Sequence, residues 1–351
     1  MTWRKRATRG RIGPWLIGLA ALLALALSIA VSITLGPVPI GVGDVLHVVT
    51  HHVGLTGPPE VSRIAAATVW ELRLPRALLA ALCGTGLAVC GLVLQALLRN
   101  PLADPYLLGV SSGASTGAVV MVVFAPATLL GSPAGLSAGA FAGAVLAFVV
   151  VMALAHLAGG GNHRIILAGV AVTQLFSALT SFLIMVAADA NTTRGVLFWL
   201  LGSLASSTWD DVAVAGAVVI VGVLVALFQA TALNAFTFGA EQASTLGIDV
   251  RRVRIVLLGV TAALTATVVS QSGAIGFVGL VLPHLTRLLV GVSHRRLIPA
   301  TAMLGGIFLV WVDTAGRTVA APTEIPVGVI TALIGVPIFA ALLLRNRSVT
   351  S

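Results

Sequence analysis

Arg73 and Arg76, in the stretch WELRLPRALLAAL (70–82), are the first residues whose type and spacing could do chemistry. They stand three apart, on one face of any helix they join, just before a long apolar run and with Pro75 between them. A guanidinium left beside hydrocarbon is costly, so each needs a partner. Asp313 and Arg317 form a second charged constellation, spaced i,i+4 on one helical face. Seven histidines are scattered: His47, His51 and His52 early, then His156, His163, His284 and His294. These read as polar residues at a membrane interface, with a metal or haem-iron role for the first three as the alternative. The sequence holds no GxxxxGK[ST], and its single lysine is Lys5, so it has no phosphate-cradling loop. HExxH, paired CxxC and acidic calcium-loop patterns are absent too.

The elements that must position these residues follow from composition. Of 351 residues, 58% are hydrophobic and only 9% charged, with a mean hydropathy of +1.08. Soluble domains carry about 25% charged residues, so this is an all-α polytopic membrane protein. About ten apolar runs are long enough to approach the ~30 Å of a bilayer core. They fall near 14–36, 75–98, 106–127, 135–157, 164–188, 212–231, 253–272, 275–290, 299–319 and 327–345. Helices are expected because a backbone in lipid must satisfy its own hydrogen bonds, and no alternating barrel pattern appears. With the N-terminus inside, 15 of the 20 basic residues fall on the cytoplasmic side, whereas eight of the 11 acids fall outside. That split places both termini in the cytoplasm. The net charge of +9 is therefore topology rather than a nucleic-acid signal.

The organisation expected is a basic N-terminus (1–13), one transmembrane domain (14–345) and a short tail (346–351). The first apolar run is too long for the core of a cleaved signal and reads as a retained helix. Cys83 and Cys90 share one helix face and read as packing residues. Ala77, Ala81, Gly84, Ala88 and Gly91 approach a small-xxx-small pattern, which lets helices come close. Two Gly-rich breaks, at 99–115 and 271–289, are of the kind that marks a transport pathway. Few ionisable groups lie within the spans, so no ion-coupling device is evident. If the chain pumps, its energy comes from another subunit. A long inner loop, 232–252, has helical character, and Leu233, Phe236, Phe238 and Leu246 offer an apolar face to a membrane interface or to a soluble partner.

Several segments in order carry a resemblance: LRLPRALLAAL, GLVLQALLRNPLADPYLLGVSSGAS, ILAGVAV, FWLLGSL, EQASTLGIDV, GAIGFVGLVLPHLTRLLVGVSHRRLIP and EIPVGVITALIGVPIFAALLL. Together they resemble the permease subunits of bacterial ABC importers for iron-siderophores, haem and cobalamin (the FecCD type), over nearly the whole chain. The resemblance implies a homodimer of ten-helix subunits in the bacterial cytoplasmic membrane. It implies two cytoplasmic ATPase subunits that bind ATP and magnesium, no cofactor in this chain, and an extracytoplasmic binding protein. It makes Arg73, Arg76 and Arg317 the expected docking points for that binding protein, with intrachain pairing (Arg73 with Glu71, Arg317 with Asp313) as the alternative. It assigns ATPase coupling to Leu233, Gly239, Glu241, Ala243, Leu246 and Gly247. It places Ser111, Ser112, Ser115, Val172, Gln174 and Ser177 along the translocation path. The implied cargo is a ferric siderophore, ahead of haem and cobalamin; a secondary carrier is the distant alternative.

Overall fold

The computed structural model describes residues 14–36, 40–57, 61–124, 133–187 and 190–347. Its elements are α1 (Pro14–Thr34), α2 (Val42–His52), α3 (Arg63–Leu98), α4 (Val110–Phe124), α5 (Pro133–Leu157), α6 (Asn162–Ala187) and α7 (Ala190–Leu200). They continue with α8 (Trp209–Phe228), α9 (Ala230–Phe236), α10 (Ala240–Thr245), α11 (Val250–Ser272), α12 (Val278–Val290), α13 (His294–Thr318) and α14 (Val327–Arg347). Each of the ten apolar runs has its helix. Among the described residues, six of these are long and apolar enough to span a bilayer by themselves.

The helix carrying Arg73 and Arg76 differs from its sequence reading. It begins at Arg63 rather than after the arginines, and Ser62 caps it by accepting the Ala65 amide at 3.2 Å. Pro75 does not end it. The turn before it widens into a π-helical segment, Thr68–Arg73, in which the Leu74 amide reaches back to the Val69 carbonyl. A π turn absorbs the register change that a proline forces on its preceding turn. Both arginines thus lie within the helix, aimed sideways into the protein.

Helix α3 is the axis of the fold, buried from Leu74 to Leu98 except at a few positions. Its glycines set two close crossings. A Cβ on Gly84 would land on the Gly305 carbonyl of α13, and one on Gly91 on the Gly279 carbonyl of α12. The Thr85 hydroxyl reinforces the first crossing by donating to Ala302 O at 2.9 Å. Cys83 and Cys90 are free thiols buried along the same helix.

The stretch 253–290 resolves into α11 and α12 with a break at 273–277, and Phe277 holds a left-handed conformation (φ 68°). Gly279 packs on Gly91, deep in the bundle, so this irregular backbone lies inside the protein. There it must be satisfied by protein groups. Ser203 N donates to Ser272 O (2.9 Å), Val327 N to Gly202 O (2.9 Å) and Gly328 N to Leu201 O (3.1 Å). The amide of Ile275 donates to the Tyr106 hydroxyl. That tyrosine belongs to a 3₁₀ turn, Pro105–Leu108, which delays the start of α4 to Val110. Three loops and a re-entrant turn therefore meet in one hydrogen-bonded layer.

Replacing Gly91 with valine drives a branched side chain into backbone, and overpacking of this kind costs about 3 kcal/mol or more. Thermal unfolding of the detergent-purified chain should show a large loss for Gly91→Val. Gly259→Ala, where nothing lies within 4 Å, should be neutral or stabilising.

Candidate functional site

The end of α1 explains where the arginines go. Its last carbonyls lack intrahelical partners and carry the negative end of the helix dipole, yet its final turn holds no basic residue. Arg73 Nη1 donates to Ile33 O at 2.9 Å. Arg317 Nη1 donates to Leu35 O at 2.7 Å, and its Nη2 to Ser32 O. Two arginines from distant helices thus cap α1. Gly36 is bare because a side chain there would strike the Arg73 guanidinium.

Arg76 does a different job. Its Nε donates to both oxygens of Asp313 (2.9 and 3.1 Å), while Nη1 and Nη2 form a paired bond to Glu324 (3.0 Å each). Asp313 also lies 3.6 Å from Arg317 Nε, the i,i+4 pair foreseen in the sequence. The fork geometry of a guanidinium suits two carboxylates at once. The cluster ties α1, α3, α13 and the loop before α14. The structure therefore brings Arg73, Arg76 and Arg317 together, but with their donors turned inward: Arg73 and Arg317 are each 7% exposed and the Arg76 side chain 13%. Glu324, at 36%, is the exposed lip of the cluster. Sequence reasoning missed Glu324 and the α1 carbonyls.

At the opposite end of α3 the inner loop is two short helices, α9 and α10, broken at Gly239 (φ 123°). The coupling candidates divide there. Leu233 and Ala243 are fully buried, as is Phe236, while Glu241, Leu246 and Gly247 are exposed. Phe238 (72%) and Leu246 (71%) are the large apolar side chains left open. Gly247 takes a positive φ (81°) that ends α10.

The path candidates divide as well. Ser111, Ser115 and Val172 are packed inside, and Ser112 is half-buried, donating to Gly109 O at 2.9 Å. Gln174 and Ser177 stand on the open face of α6, in line with exposed Ser181, whose hydroxyl donates to Ser177 O. A cavity of about 590 Å³ lies beside α14, lined by Leu200, Leu201, Ala274, Gly328, Leu333 and Pro337 among others. Among the described residues, no three His, Cys, Asp or Glu side chains gather as metal ligands.

A bundle of about ten apolar helices is the architecture of a multi-pass membrane protein. Residues 23–345 match the FecCD transport family, and the chain belongs to it. That family comprises membrane permease subunits of ABC importers. The chain is 43% identical to the cobalamin import system permease protein BtuC of Halobacterium salinarum, covering 95% of this chain and 89% of that one. It is 39% identical to the hemin transport system permease protein HmuU of Yersinia pestis, covering 80% and 84%. A solved inward-facing conformation of a metal-chelate type ABC transporter superposes with a TM-score of 0.82 at 29% identity, covering 94% of this chain and 99% of that one.

Asp313→Ala would strand Arg76 and Arg317 without their shared carboxylate, a loss of about 3–5 kcal/mol for a buried pair. Thermal unfolding in detergent should fall accordingly. Glu324→Gln, at the partly exposed edge, should cost about 1 kcal/mol or less.

Proposed function

We propose that this chain is the permease of an ATP-driven metal-chelate importer in the bacterial cytoplasmic membrane, with a ferric siderophore as cargo. It works as one of two identical copies, with both termini in the cytoplasm, residues 1–13 and 346–351 as short flanks, and 14–345 as the transport domain. Separate ATPase subunits bind ATP and magnesium and supply the energy. The observation that carries the reading is the α9–α10 pair. It exposes Phe238 and Leu246, with Arg99 close to Gly239 and exposed Arg251 and Arg252 following α10 in sequence, the basic side expected to face the cytoplasm. Exposed apolar groups on a short, broken element suit a soluble protein partner.

On the outer side, the extracytoplasmic binding protein docks over the arginine cluster. Its acids compete with Glu324 for Arg76, while Arg73 and Arg317 brace α1 behind. Cargo passes along the open stripe of α6 through Gln174 and Ser177, with Ser111, Ser112, Ser115 and Val172 supporting that face from within. Cobalamin is the second reading for the cargo, favoured by the 43% identity to the Halobacterium salinarum permease.

Mild purification of the tagged chain should recover a stoichiometric P-loop ATPase, and Leu246→Asp should abolish that recovery while the permease stays folded. In proteoliposomes holding the ATPase and binding protein, radiolabelled ferric siderophore should accumulate with ATP. Accumulation of cobalamin instead would establish the second reading. Transport by the chain alone would overturn both.

A further inference from the structure

Helix α13 lacks a cap of its own: Ser293 sits at its N-cap position and makes no side-chain bond to the helix. The cap comes from elsewhere in the chain. Asn234, on α9, places its Oδ1 where it accepts the His294 backbone amide at 3.0 Å and the His294 ring Nδ1 at 2.8 Å. One amide oxygen thus satisfies an orphan donor of α13 and also fixes its first side chain. His294 is 3% exposed, and its Nε2 has no partner. Nδ1 must carry the ring proton to reach that oxygen, so the ring depends on Asn234 for its hydrogen bonding. A second tie runs alongside, from Arg295 Nη2 to the Thr231 hydroxyl at 3.4 Å.

At its other end α13 carries Asp313 and Arg317, anchored in the arginine cluster. Between these ends it is locked to α3 by the Gly84–Gly305 crossing and the Thr85 bond. Its 25 residues span about 37 Å at 1.5 Å per residue. The helix is thus held at both ends and clasped in the middle, with Pro299 inside it between the Asn234 cap and the clasp.

We propose that Asn234 is a positioning residue for energy coupling: it is the joint by which movement of α9–α10 is delivered to α13 and so to the outer arginine cluster. This rests on the reading of α9–α10 as the face that meets the ATPase. An oxygen acceptor is suited to the task because it holds α13 through two bonds, one from the backbone and one from the ring of His294. Loss of the joint leaves the exposed docking residues Phe238 and Leu246 in place.

The test uses the full complex in proteoliposomes, reading cargo imported per ATP hydrolysed, together with ATPase recovery on purification. Asn234→Ala should retain the ATPase yet lower cargo per ATP by about tenfold, the order expected for losing ~1.4 kcal/mol of coupling. Asn234→Asp, whose carboxylate can accept both bonds, should restore most of it. Unchanged cargo per ATP in Asn234→Ala, or failure of Asn234→Asp to recover it, would overturn the proposal. If Leu246→Asp leaves ATPase recovery intact, the contact-face reading fails instead, and the two failures are told apart.

Discussion

The fold depends on how closely α3 can be approached. Where α12 and α13 cross it, carbonyl oxygens occupy the space that a Cβ would need at Gly91 and Gly84. In a bilayer the hydrophobic effect gives little reason for helices to associate, so contact area must come from surfaces without protrusions. This close packing fixes the relative height of α3, α12 and α13. That height determines which carboxylate each arginine can reach and where the break at 273–277 falls. The site geometry is thus inherited from backbone contacts, with side-chain chemistry added afterwards.

The outer cluster shows how such a protein accommodates charge. Three guanidiniums stand near two carboxylates, and the balance is completed by the carbonyls of Ser32, Ile33 and Leu35 at the end of α1. A helix terminus behaves there as a fractional anion. The outcome is a junction of four segments whose members are mutually dependent, with only its Glu324 edge open to exchange.

Much of this was legible from residue types. Hydropathy located every long helix, and the arginines in LRLPR and DTAGR were singled out and do meet. The i,i+4 spacing of Asp313 and Arg317 foretold their pair. Less accessible were partners made of backbone, because a carbonyl at a helix end has no residue signature. Glu324 was also missed: nothing local links it to Arg76, 248 positions away. The inner loop shows a related limit. Leu233, Phe236, Phe238 and Leu246 looked like one apolar face, but the break at Gly239 turns the first two inward and the last two outward. The expected start of the third span near 106 moved to Val110 because Asp104 caps a separate 3₁₀ turn first, accepting the Tyr106 amide.

The layer where Leu201, Gly202, Ser272, Val327 and Gly328 exchange backbone hydrogen bonds bears on how the protein is made. Its members come from three regions of the chain, and Val327 and Gly328 are made after the other two. Until α14 arrives, the carbonyls of Leu201 and Gly202 lack these two donors. Closure of the bundle becomes a late event governed by the arrival of two amides, Val327 and Gly328.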